Sequence, residues 1–522
     1  MSHDARGKSR RAFITTSAAA AASFMIVPRR VLGGQGVTAP SDLVNVAGIG
    51  AAGRASANFA GVVGQNIVAL CEVDWSRVDS FMASARSGGA GGRGGAGGRG
   101  AGAGAAAAPG AGGTGRGAGR AGRGGAGRAG AAAADPAAQA ESAQTRRRQA
   151  EGYAKAVRYD DYRVMLDKQK NIDAVIISTP DHTHAHAAIM AMTLGKHVYV
   201  EKPLSYTVRE ARLMLEAAER SNVVTQMGNT GHSNDQARHM VEMLWAGAVG
   251  TVREAHVWTN RPIWPQGIPR PASKDVPKHL NWDLWLGPAP TVPYNDGIHP
   301  FGWRGYTEYG TGAIGDMGAH QLDFVFRALN PGLPTRIEVR HSPWGGSSGD
   351  PRVTYPQAST IYWDFATGGR PPLRIVWYDG GLLPPTSPEL PMAMHGRMST
   401  GSGGVLYIGD KGKLLTSGRG TDPYFMPERL NQEFADAPQR LHRIQGSSNG
   451  HQMNWIRAIK GTERISCPFD FAVPVVETML LGMAAMRAEM PLEYDSLNMR
   501  FTNYPEANQY LDRPTRRPGF EL

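Results

Sequence analysis

The feature that most constrains this chain is a short apolar run, Leu43 to Ile49, that passes straight into Gly48-Ile49-Gly50-Ala51-Ala52-Gly53. A helical pattern follows over 52–62, then a second apolar strand, Ile67 to Cys71. Strand, glycine turn, helix and strand in this order let a backbone approach a pyrophosphate and face it with helix-terminal N–H groups. Gly48, Gly50 and Gly53 are therefore candidate cofactor residues. The second strand ends at Glu72, nineteen residues beyond Gly53. An acid there accepts hydrogen bonds from ribose hydroxyls and repels a 2′-phosphate, which favours NAD(H) over NADP(H). Asp74 is a second candidate for the ribose; its other reading is the N-cap of a helix starting near Ser76.

The alternation continues after an interruption. Helices are expected over 162–169, 183–194 and 208–220, and strands over 173–178, 197–200 and 223–227. This is the signature of a doubly wound parallel sheet, an α/β Rossmann domain over 41–229. Beyond Asn229 the pattern changes to a helix over 235–245 and strands over 252–258, 337–341, 360–365 and 373–378. A hairpin pairs 403–408 with 413–416, and helices at 452–460 and 474–487 follow, the latter packing back on the first domain. We expect a C-terminal α+β domain over 230–510 with a mostly antiparallel, open sheet, then a tail over 511–522.

Charge is confined to two segments. Residues 1–30 hold six Arg or Lys against one Asp, and residues 87–134 hold six Arg and no acid; together these make up the whole net charge of +11. The remainder is formally neutral, so a folded basic groove for nucleic acid is not supported. Residues 1–40 read as a signal and linker: Ser9-Arg10-Arg11-Ala12-Phe13-Ile14 is a twin-arginine pattern, followed by an apolar run from Ala18 to Val27. The run is too short to span a bilayer as a mature helix. The expectation is export by the Tat machinery to the periplasm, with no transmembrane segment in the mature form. The Gly/Ala/Arg stretch, an insertion at about 87–150, has too little apolar surface to offset ordering entropy and is expected to be disordered. Two cysteines, Cys71 and Cys467, form no disulfide framework and no zinc spacing.

The strand His197 to Val200 delivers Glu201-Lys202-Pro203 at its carboxyl end, the edge where open α/β sheets bind ligands. A lysine there is placed to act as an acid or base beside a nicotinamide. Far downstream, a helix opens with Gly315-Asp316-Met317-Gly318-Ala319-His320 and continues to about Leu329. Asp316 and His320 are four apart and share a helix face. An imidazole is a natural proton acceptor for a sugar hydroxyl, and a nearby carboxylate can orient and stabilise it. Asp323 reads as supporting structure. His182, His184 and His186 invite a metal reading, but no third ligand is spaced to complete a site. Between the two motifs, polar and aromatic residues cluster; Asn229, His232 and Arg304 are the candidate substrate contacts, whereas Trp282 and Trp285 are expected in the core.

The set Gly48-x-Gly50-x-x-Gly53, Thr179-Pro180-Asp181-His182-Thr183-His184, Glu201-Lys202-Pro203 and Gly315-Asp316-x-Gly318-x-His320-x-x-Asp323 resembles the Gfo/Idh/MocA oxidoreductase superfamily. The resemblance implies Lys202, Asp316 and His320 as the catalytic trio, with Pro180, Asp181, His184 and Glu201 near the nicotinamide. This chain departs from the family at Asp181, where Asn or Ser is usual. The resemblance also implies a carbohydrate substrate, NAD as cofactor, no metal, and homo-oligomerisation through the C-terminal sheet. The expected reaction is hydride transfer at a sugar or polyol carbon. Alternatives are a redox-neutral NAD-dependent glycosidase, working by transient ring oxidation and elimination, and a non-catalytic sugar-binding protein.

Overall fold

The computed structural model describes residues 42–87, 136–366, 369, 371–399 and 403–522. The twin-arginine segment and most of the Gly/Ala/Arg insertion lie outside the described residues. The first domain holds six parallel strands: β1 (Asn45–Ile49), β2 (Asn66–Cys71), β3 (Val157–Tyr159), β4 (Ala174–Ile177), β5 (His197–Val200) and β6 (Thr225–Met227). Their order in the sheet is β3-β2-β1-β4-β5-β6. The chain therefore turns outward in opposite directions from β1 and β4, leaving a crevice at their carboxyl ends. Helices α1 (Ala55–Ala60), α2 (Trp75–Arg86), α3 (Pro136–Lys155), α4 (Tyr162–Lys168), α5 (His184–Thr193) and α6 (Val208–Ser221) cover the sheet. Its central strands are buried on both faces, as continuous runs such as Ala174-Val175-Ile176-Ile177 require. The α6 helix starts with a full capping box, Thr207 accepting from the Glu210 N–H and Glu210 returning to the Thr207 N–H.

Helix α3 corrects one expectation. The composition predicts disorder to about residue 150, whereas Pro136–Lys155 is helical. Ala, Gln, Glu and Arg are good helix formers, and Gln149, Ala150 and Tyr153 present one buried stripe. The Tyr153 ring meets Phe59 edge-on at 5.3 Å, and tertiary packing wins over the low apolar content of the segment.

The second domain opens with α7 (Asp235–Trp245) and is built on a nine-stranded sheet. Its strands are β7 (Val252–Trp258), β8 (Arg336–His341), β11 (Ser359–Phe365), β12 (Leu373–Tyr378), β13 (Gly404–Gly409), β14 (Lys413–Ser417), β15 (Tyr424–Met426), β16 (Leu492–Asp495) and β17 (Arg500–Phe501). The intervening β9 (Gly345–Ser347) and β10 (Asp350–Thr354) pair only with each other. The order in the large sheet is β15-β14-β13-β7-β12-β11-β8-β16-β17. Only the β7–β12 pair is parallel, so the sheet is mixed and mostly antiparallel. Helices α8 (Gly312–Leu329) and α10 (Phe469–Ala488) pack between the sheet and the first domain, while α9 (His451–Ile459) packs on the first domain, with Trp455 and Ile456 in its core.

Helix α10 begins five residues before the expected 474 and runs through Pro474. By length and composition it is apolar enough to cross a membrane, a feature absent from the expectations above, but most of it is buried inside the protein. Its one acid in mid-helix, Glu477, receives Arg212 of α6 at 2.6 and 2.9 Å and the Tyr494 hydroxyl at 2.7 Å. This ion pair ties the two domains through a continuous core. The residues after 510 are also packed, with Leu511 and Phe520 buried. Cys71 and Cys467 are both free and buried.

Candidate active site

The carboxyl edge of the parallel sheet gathers the motifs. At the first turn Gly50 has φ +76°, and a Cβ there would lie 3.0 Å from the Ser178 carbonyl group. The turn therefore needs glycine both for its left-handed backbone and for its approach to the end of β4. Glu72 is buried beneath it. Its Oε2 accepts from the Ala51 and Ala52 N–H groups at 2.9 and 3.1 Å, while Oε1 accepts from Val73 and Asp74. Burial raises the Glu72 carboxyl, against four backbone hydrogen bonds that lower it. Tyr153 adds a contact the sequence reading missed: its hydroxyl donates to the Ala51 carbonyl at 3.1 Å. Asp74 stands at the N-cap position of α2 but makes no side-chain cap bond. Its carboxylate instead accepts from the Ser76 hydroxyl at 2.5 Å and faces His299 Nε2 at 3.0 Å.

At the end of β4, Asp181 is a cross-link between the domains. Its Oδ2 accepts from the Thr311 N–H at 3.1 Å and hydroxyl at 2.6 Å, which fixes the start of α8. His184 has Nδ1 at 2.9 Å from the Pro203 carbonyl and Nε2 at 2.9 Å from the Thr179 carbonyl, bridging the loops after β4 and β5. Pro180 is the N-cap of the short turn Asp181–Thr183 in the loop after β4. His182 faces the Trp285 carbonyl and His186 the Tyr162 hydroxyl, so the three histidines point to different partners. Thr179 Oγ1 is buried and without a hydrogen-bond partner, beside the crevice between β1 and β4. A dinucleotide fits this set: a left-handed glycine turn, a buried acid beneath it and an orphaned hydroxyl at the crevice.

Glu201 is buried and holds the turn to the Lys202 loop. Oε1 accepts from Arg54 Nε at 2.8 Å and Asn58 Nδ2 at 2.9 Å. Burial pushes this carboxyl up, but the Arg54 charge and the two hydrogen bonds outweigh it and leave it below its ordinary value. Asn58 also reaches Ser178 Oγ at 3.0 Å and accepts from Gln452 of α9 at 3.1 Å. Neither Arg54 nor Asn58 was picked out from sequence, because nothing local marks them.

Lys202 and Asp316 meet across the domain boundary. The lysine Nζ donates to Asp316 Oδ1 at 2.9 Å and to the Asp316 carbonyl at 2.8 Å. Arg304 Nε reaches the same Oδ1 at 3.2 Å, with its guanidinium over the Trp303 ring at 4.3 Å. Burial opposes the Asp316 charge, and the two cations overcome it, holding the carboxyl well below the usual range. Asp316 thus orients Lys202; His320, one helical turn away, is held by a different residue.

That residue is Asn229. It is 1% exposed, and its amide makes two bonds: Nδ2 donates to the Ala319 carbonyl at 2.9 Å and Oδ1 faces His320 Nδ1 at 2.9 Å. With Nδ2 committed to a carbonyl, Oδ1 must accept, so His320 carries its proton on Nδ1. The other nitrogen, Nε2, is then an unprotonated acceptor, and it makes no hydrogen bond among the described residues. Burial, with the Lys202 and Arg419 charges, holds His320 well below its ordinary value and therefore neutral. Arg419, in the turn after β14, was also not foreseen.

One substrate expectation, His232, is corrected here. Asn229 lies at the site and positions His320. His232 is buried: Nδ1 lies 2.8 Å from both Asp323 oxygens, and Nε2 faces the Arg327 guanidinium. His232, Asp323 and Cys467 offer ligand atoms within 4.8 Å of one another, but the neighbouring Arg327 and Arg238 charges disfavour a further cation. Arg304 does lie at the site. Trp282 and Trp285 stack at 4.6 Å in the core, as expected.

Comparison with known proteins agrees with the architecture. Residues 110–229 match the model of an oxidoreductase family with an NAD-binding Rossmann fold, and residues 244–343 match the C-terminal alpha/beta domain of the same family. The chain is 28% identical to levoglucosan dehydrogenase of Pseudarthrobacter phenanthrenivorans over 193 residues, 36% of this chain and 42% of that protein. It is 28% identical to 1,5-anhydro-D-fructose reductase of Ensifer adhaerens over 182 residues, 34% of this chain and 44% of that protein. The chain thus spans less than half the length of these curated relatives. The fold is also that of WlbA dehydrogenase from Bordetella pertussis, solved with NADH and UDP-GlcNAcA: TM-score 0.51, 13% identity, covering 87% of this chain and 99% of that one.

Proposed function

We propose that this chain, which pairs the two domains of the Gfo/Idh/MocA oxidoreductases, transfers hydride between NAD(H) and a CH–OH carbon of a sugar, sugar derivative or polyol. The observation that carries the reading is the meeting of Lys202 and Asp316 across the domains, beside a neutral His320 whose Nε2 is free. The similarity to levoglucosan dehydrogenase and 1,5-anhydro-D-fructose reductase supports the substrate class.

When bound, the nicotinamide supplies the hydride acceptor or donor. The turn of Gly48, Gly50 and Gly53 would hold its pyrophosphate and Glu72 its ribose, with the loops after β4 and β5 beside the ring. His320 Nε2 takes the hydroxyl proton as the carbon is oxidised, while the Nδ1–H bond to Asn229 stabilises the imidazolium that forms. Lys202, aimed by Asp316, donates to the same oxygen. Arg304 stands next to Asp316 and is placed to bind a further hydroxyl. Turnover with NAD and a panel of polyols and aldoses tests this. Lys202→Ala and His320→Ala should each lower it by about 10²–10⁴-fold with dinucleotide binding retained; unchanged turnover in both would refute the roles.

The twin-arginine pattern supports export, and free NAD is scarce outside the cytoplasm. We therefore propose a cofactor held through each cycle, measurable as nucleotide released when the purified protein is denatured. The same observation favours a second reading, a redox-neutral glycosidase. Release of aglycone from aryl glycosides without added cofactor would separate the two.

A further inference from the structure

A cavity of about 290 Å³ lies where three segments meet: Tyr206–Thr207 beyond the Lys202 loop, Thr307–Glu308 ahead of α8, and the C-terminal residues Asp512–Thr515. Lys202, Asp316 and His320 do not line it. Two guanidiniums do. Arg513 is 7% exposed and stacks 4.2 Å over the Tyr206 ring. Its Nη1 makes one long bond, 3.4 Å, to the Glu308 carbonyl, and its Nε and Nη2 are covered with no hydrogen-bond partner. Arg487 of α10 has only neutral partners: Nη2 donates to the Tyr206 and Tyr355 phenol oxygens at 3.2 and 3.3 Å and to the Thr307 carbonyl at 3.1 Å.

The acids of the wall are spent elsewhere. Asp512 pairs with Arg516 at 2.6 Å and with Arg209 at 3.5 Å, and Glu308 pairs with Arg270. The third arginine in the wall, Arg352, reaches Glu489 at 3.0 Å. Among the described residues, two positive charges therefore face this cavity without a counter-ion. A buried cation is costly unless paired, and a guanidinium is best satisfied by the two oxygens of a carboxylate or phosphate.

We propose that this cavity is a second ligand site, for a small metabolite carrying a carboxylate or phosphate, held by Arg487 and Arg513. The probes are malonate and inorganic phosphate, with glycerol as the neutral control, titrated calorimetrically into the full-length protein. Each titration is repeated with saturating NADH, so that binding at the glycine turn is recognised by its loss. At least one anion should saturate, with and without NADH, and glycerol should not. Arg513→Gln should weaken that binding by about tenfold or more, the loss expected for a charge-assisted hydrogen bond. Arg487→Lys, which keeps the charge and removes the fork, should weaken it as well, and serves if Arg513→Gln fails to fold. Absence of saturation by both anions, binding unchanged in both variants, or binding abolished by NADH would each overturn the proposal.

Discussion

Replacing Asn229 by Ala isolates what orients the imidazole. The side chain makes two hydrogen bonds of 2.9 Å, one to the Ala319 carbonyl and one to His320 Nδ1. Each is worth about 1 kcal/mol net, so Asn229→Ala should destabilise the fold by about 2 kcal/mol. The bond to Nδ1 also decides which tautomer is present. Losing it removes both that preference and the bond that stabilises the imidazolium as it forms, about 1 kcal/mol with up to 1.5 within range, and should reduce kcat by about five- to tenfold. Dinucleotide affinity should stay within about twofold, because Asn229 touches no part of the glycine turn. Asn229→Asp keeps an acceptor opposite Nδ1, adds a negative charge and should move the acidic limb of the kcat profile to higher pH. Steady-state kinetics with pH profiles provides the assay. An Asn229→Ala enzyme with wild-type kcat and an unshifted profile would refute the tautomer argument.

Other expectations follow from the same geometry. Glu72→Gln keeps an acceptor under Ala51 and Ala52 and removes the charge, so the NAD-over-NADP preference should fall by about tenfold, read by paired binding titrations; an unchanged preference contradicts the ribose assignment. Arg212→Ala leaves Glu477 buried and unpaired between the domains, and urea unfolding should show a loss of about 3–5 kcal/mol; a loss near zero would mean the pair does not join them. Burial holds His182 near 3, and His232 and His451 near 4. Their folded values lie below the unfolded value of about 6.5, so their stability contribution is full above that pH and drains as pH falls, by about 1.4 kcal/mol per unit for each histidine. Asp379, pushed up to about 7 by burial, has the opposite sign over pH 4 to 7 and offsets one of them. Urea midpoints should therefore drop steeply between pH 6 and about 4.5, and a flat profile would contradict the buried neutral imidazoles.

Local patterns made much of this legible. The glycine turn, the strand ending in Glu201-Lys202-Pro203 and the Asp316/His320 spacing each declare their position within a few residues, because strand and helix periodicity places them. The parts that escaped are contacts between distant segments. Asn229 and His320 are 91 residues apart, and nothing around Asn229 distinguishes an amide facing a hydroxyl from one facing an imidazole. Asp181 looks like a nicotinamide neighbour and serves as the anchor of Thr311, 130 residues on. Helix α3 was obscured by its composition, since its few apolar residues are enough only because Phe59 and Phe81 meet Tyr153. In the second sheet, the parallel pairing of β7 with β12 joins strands separated by more than a hundred residues, which turn chemistry cannot foretell.

The most direct test of the central claim is a crystal structure with NADH bound. The pyrophosphate should lie on the Gly48–Gly53 turn, with the nicotinamide C4 facing the space between Lys202 Nζ and His320 Nε2. A dinucleotide bound elsewhere, or a ring turned away from both side chains, would contradict the account.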